Sequence, residues 1–86
     1  MIVKKILPEY FYDILLHNKR FEIRKNDCDY KVGDKVKLIL FENNQTNPDN
    51  YFIVKITHVL KNIPEYGLDK DYCIFGFKIC KKVTSY

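Results

Sequence analysis

The sequence predicts an α+β domain that is mainly β: a small, partly open β-barrel plugged or flanked by one early amphipathic helix. Three observations carry this expectation. Most of the chain beyond residue 20 falls into short segments rich in Val, Ile, Tyr and Phe, several with apolar residues at alternate positions, the period of a half-buried strand. One segment near the N-terminus instead repeats its apolar residues at the three- and four-residue spacing of a helix. The order is therefore β, α, then four or more strands with neighbours expected to be antiparallel. No repeat or linker divides residues 1–86, which read as a single domain.

Residues 2–7 form a short β-type segment whose Lys4 and Lys5 suit the end of a sheet. Pro8 opens the helix, because proline fits a first turn and Glu9 favours the positive end of the helix dipole. Phe11, Ile14 and Leu15 make its buried stripe with Tyr10 at the margin, which predicts a helix over 8–16 closed by His17-Asn18, with Asn18 as the left-handed cap. A strand follows in which Phe21 and Ile23 share one face and Arg20, Glu22 and Arg24 the other. Gly33-Asp34 is a turn signal leading into a strand over 35–41. Residues 42–50 contain no apolar residue and predict an exposed loop between antiparallel strands. Residues 51–60 are again β-rich, and 61–71, punctuated by Pro64 and Gly67, predict an irregular crossing. The last strand, 72–80, carries Cys73, Phe75, Phe77 and Ile79 on one side and ends at Lys81-Lys82.

Composition narrows the class. A chain of 86 residues is large enough for one core, burying about 60 to 65% of its unfolded surface. Hydrophobic content of 47% with 30% charged residues marks a folded, water-facing domain rather than a disordered one. The net charge of +4 permits phosphate-bearing partners but falls short of a dedicated duplex-DNA binder. Cys28, Cys73 and Cys80 are widely spaced, with no C-x-x-C and no nearby Cys/His pair, so neither a metal site nor a cofactor is expected. Cys73 and Cys80, within an apolar run, read as small hydrophobes. The N-terminus lacks a signal-peptide core and no stretch approaches a membrane span, so a cytoplasmic protein with reduced thiols and no membrane partner is expected.

The chemistry concentrates in residues 19–34, KRFEIRKNDCDYKVGD. A strand face bearing Arg-Glu-Arg has two readings. It is a solvated outer face on which Glu22 pairs with its flanking arginines for little stability, or it is a preset cluster of donors around one acceptor, facing an anionic or polar ligand.

Lys19-x-Phe21-Glu22-Ile23-Arg24-Lys25-Asn26-Asp27, followed by Tyr30 and Val32-Gly33-Asp34, resembles the signature of ASCH domains of the PUA-like superfamily, in particular a group of small bacterial and phage proteins of unknown function. The likeness extends over most of the chain. It departs from the pattern where His17 stands for glycine, Arg20 for threonine and Cys28 for arginine. The His17 departure is tolerable, since His is enriched among residues with positive φ. The resemblance implies a PUA-like barrel with a cleft between barrel and helix, lined by the motif's Lys, Glu and Arg, and for the superfamily it implies RNA binding.

Two functions follow. In the first, the domain binds RNA or a nucleotide: Lys19, Arg24 and Lys25 hold phosphate, Glu22 and Asn26 read base edges, and Tyr30 stacks. In the second, the resemblance to ASCH-fold amidohydrolases acting on acylated cytidine implies catalysis by Lys19 with Glu22. The family's threonine position is occupied here by Glu22, which leaves that scheme without its hydroxyl. The oligomeric state is not legible in the sequence.

Overall fold

A computed structural model describes residues 1–85. The chain forms β1 (Ile2–Ile6), α1 (Pro8–Leu15), β2 (Phe21–Lys25), β3 (Lys35–Glu42), β4 (Gln45–Ile63), a 3-10 turn (Pro64–Tyr66) and β5 (Leu68–Val83). The five strands make one sheet in the order β1-β3-β4-β5-β2, curled into a half-barrel with the short helix beside it. The long β4/β5 hairpin is its spine. Register shifts near Val54, His58 and Ile63 interrupt the β4/β5 ladder, and such bulges bend and twist strands. The concave side carries the core: Val36, Leu38 and Leu40 of β3, Phe52, Val54 and Ile56 of β4, and Cys73, Phe75 and Phe77 of β5, closed over by Phe11 and Ile14 of α1. The alternation expected for the last strand is therefore realised, with Ile79 half-buried against the same cluster.

α1 follows its sequence signals closely, with Pro8 in its first turn and Phe11 and Ile14 buried. It ends in a Schellman arrangement: the His17 amide donates to the Ile14 carbonyl at 3.0 Å and the Asn18 amide to Asp13 at 2.9 Å. The left-handed residue is His17, at φ 65°, rather than Asn18. Arg20 completes the cap, donating to the carbonyls of Ile14 and Lys19. It also contacts His17 Nδ1, so two of the three departures from the ASCH pattern touch one another.

Three expectations are corrected. β1 pairs with β3 in parallel, not antiparallel. The chain leaves β1 through α1, lays β2 at the far edge and returns as β3, and such a crossover is what a parallel pair requires. Residues 42–50 are not one exposed loop: Asn43 and Asn44, at φ 53° and 60°, make a two-residue turn, and Gln45 and Thr46 already pair with Glu42 and Phe41. Positive φ at both central residues is the signature of a type I′ hairpin turn. Only residues 47–50 leave the ladder, which accommodates Pro48, and Asn50 is buried where its Oδ1 accepts from the Ser85 amide at 3.0 Å. Likewise 61–71 is a hairpin end rather than an irregular crossing, turning through Pro64–Tyr66 and Gly67 at φ 81°.

Cys73 is buried, but Cys80 is exposed, because it follows Ile79 and strand alternation places it with Lys78 on the outer face. Tyr30 is the largest fully buried side chain, its ring 5.0 Å from that of Phe75. Its hydroxyl has no hydrogen-bond partner among the described residues, and burial pushes it up to about 12 against the pull of the nearby Lys4 ammonium. An ordinary tyrosine ionises near 10. The neutral hydroxyl's contribution to stability is thus intact below about pH 10 and is lost as pH rises towards 12. Tyr30→Phe should be as stable as the parent at pH 7, or more stable by up to about 1 kcal/mol, since it removes an unpaired buried hydroxyl. The variant's advantage should widen in alkaline urea melts, and an advantage independent of pH would show that the hydroxyl is not the titrating group.

Candidate functional site

β2 is an edge strand, and its register decides what its charges face. Glu22 lies opposite Phe75 and Arg24 opposite Cys73, both core residues, while Phe21 and Ile23 lie opposite Gly76 and Ile74. The charged side of β2 consequently points inward: Glu22 is 4% exposed, whereas Phe21 is 47% and Ile23 58% exposed. The solvated-face reading is overturned. The physical reason is that β1 and β2 are the two ends of the sheet order and have no ladder between them, so the seam is bridged by side chains. Glu22 accepts from Lys19 Nζ on one oxygen and from Arg24 Nε at 3.0 Å on the other. Arg24 Nη2 reaches across to the Lys5 carbonyl of β1 at 2.6 Å. Further along the seam Lys4 pairs with Asp27 at 3.3 Å, and this hydrogen bond holds the Asp27 carboxyl below the usual range.

Beside this brace, between α1 and β2, opens a cleft of about 410 Å³. Lys19, Phe21, Glu22 and Ile23 line one side, and Tyr10, Asp13 and Asn18 the other. Lys19 Nζ sits 5.3 Å from the centre of the Tyr10 ring and 5.4 Å from that of Phe21, within cation–π range of both. The site thus presents an ammonium and a carboxylate in contact, flanked by two partly exposed aromatic rings.

Residues 3–77 match the family described as Domain of unknown function (DUF3850). The chain belongs to the DUF3850 family. No curated protein matches it. In this DUF3850 domain the motif residues separate into three groups. Lys19 and Glu22 line the cleft. Arg24 stands behind them as the link to β1. Lys25 and Asn26 border a shallow depression with Lys70, Asp71 and Tyr72; the Asn26 backbone N–H donates to the Asp71 carbonyl at 2.8 Å and its side-chain Nδ2 to the Lys70 carbonyl at 3.5 Å. Tyr30 is 1% exposed, so its expected stacking role is withdrawn: both ring faces belong to the core.

Tyr10 and Phe21 are the site residues that sequence reasoning missed. Tyr10 had a signal, its place at the margin of the helical stripe. Phe21 had none, because alternation separates the two faces of a strand without saying which is inside. No helix is long and apolar enough to cross a membrane, and no group of three or more His, Cys, Asp or Glu is placed to hold a metal among the described residues.

Breaking the brace should be costly. Glu22→Gln and Arg24→Ala are each expected to lower the unfolding free energy by about 3 to 5 kcal/mol, the cost of leaving a buried ion pair without one partner. Arg24→Lys should fall between these and the parent, since an ammonium cannot span Glu22 and the Lys5 carbonyl as the guanidinium fork does. Urea unfolding reads all three, and losses under about 1 kcal/mol would return the pair to the solvated class.

Proposed function

We propose that this protein is a cytoplasmic, PUA-like module that binds RNA or a nucleotide, with a base received in the cleft between α1 and β2. The observation that carries this reading is the Lys19–Glu22 pair set between the Tyr10 and Phe21 rings. A buried ion pair is often a poorer stabiliser than apolar residues of the same volume, so its place beside an open cleft speaks for recognition. A base offers what the cleft can use: a π-face for the rings and a polar edge for one donor and one acceptor. The volume suits a small ligand site. The half-barrel with an early helix and the ASCH-like motif both support the PUA-like assignment, an argument by fold analogy. Arg24 is here a positioning residue, orienting Glu22 rather than reaching for phosphate.

A hydrolytic reading has one observation in its favour, the contact of Lys19 with Glu22, which could pass a proton. The cleft lining contains no Ser or Thr hydroxyl to serve as nucleophile. Acylated cytidine incubated with the protein should accordingly release no free cytidine; release abolished by Lys19→Ala would reverse the ranking of the two readings.

Binding is tested by titration calorimetry with mononucleotides. Phe21→Ala should weaken binding by about tenfold or more, a stacking contact being worth about 1 to 3 kcal/mol per base. Phe21 is half-exposed, so the substitution leaves the core intact. No heat with any nucleotide, or binding indifferent to Phe21→Ala, would sink the proposal.

A further inference from the structure

The outer face of the sheet, opposite the core, carries an unpaired ladder of lysines. Lys35 of β3 lies directly across from Lys55 of β4, and Lys55 directly across from Lys78 of β5. All three are exposed, and none takes part in an ion pair among the described residues. A second rung runs parallel to the first: Tyr51 lies under Lys37, at 4.2 Å, and Lys81, at 5.9 Å. Like charges directly opposite one another weaken a sheet. The acidic residues of these strands, Glu42, Asp49, Asp69 and Asp71, lie outside residues 35–41, 51–60 and 72–83, the stretches that carry the ladder. Charges placed against their own repulsion and left without partners are complementary to an external polyanion. The ladder is narrow, about 10 Å across three strands at the usual inter-strand spacing, and follows one phosphate backbone rather than both strands of a duplex.

We propose that this face docks the phosphate backbone of a single-stranded RNA, as a surface separate from the cleft. The choice of RNA rests on the function proposed above; the positive ladder does not. The test is fluorescence anisotropy with a labelled oligouridylate over a range of salt, on the parent and on the triple variant Lys35→Gln/Lys55→Gln/Lys78→Gln, with mononucleotide titrations of both. Removing three phosphate contacts should reduce the magnitude of the log–log salt slope by about 2 and lower oligonucleotide affinity at low salt, while mononucleotide binding stays unchanged. The variant should melt no lower than the parent, because its like-charge rows are gone, which separates lost binding from lost fold. An unchanged slope and affinity overturn this proposal alone. Tighter binding of a DNA strand or duplex than of the RNA overturns the assignment to RNA. A reduced slope with no mononucleotide binding by either protein upholds the face and overturns the cleft.

Discussion

The carboxylate of Glu22 is buried at the one place where the sheet does not close on itself, and the protein must neutralise it there. Desolvating a single carboxylate costs several kcal/mol even after relaxation. Lys19 and Arg24 offset that cost from two sides, and Arg24 extends the bond to the backbone of β1. One charged cluster therefore does what a further pair of ladder hydrogen bonds would do in a closed barrel.

This arrangement explains why β2 is built inside out. An edge strand packed on an apolar partner would bury Phe21 and Ile23 and expose its charges. Here the inward positions of β2 meet core residues of β5 on one side and the open seam on the other. A side chain at the seam must reach polar backbone across a gap, which Arg24 does while Glu22 holds its guanidinium, and which aliphatic residues cannot. Phe21 and Ile23 are left outside as a consequence, and Phe21 becomes a wall of the cleft.

The brace and the cleft thus share atoms. Lys19 belongs to the brace through Glu22 and to the cleft through the rings of Tyr10 and Phe21. The lysine ladder is of another kind, exposed on the three inner strands of the sheet and dependent on their register rather than on burial.

The sequence by itself determined the elements whose signals are local. The Pro8 start and apolar stripe of α1, the Gly33-Asp34 turn and the alternation of Cys73, Phe75 and Phe77 each depend on neighbours a few residues away, and each stands in the structure. The charged motif was legible as a cluster for the same reason, since its residue types are adjacent in the chain. Only the tertiary structure decided which of its members meet. Period-two alternation is symmetric between inside and outside, so the inward turn of Glu22 needed the β2/β5 register. The parallel β1/β3 pair needed the path of the crossover. Tyr30 was drawn from the motif into the core because the turn at Gly33, whose amide bonds to the Ile56 carbonyl at 2.8 Å, places the loop over the barrel interior.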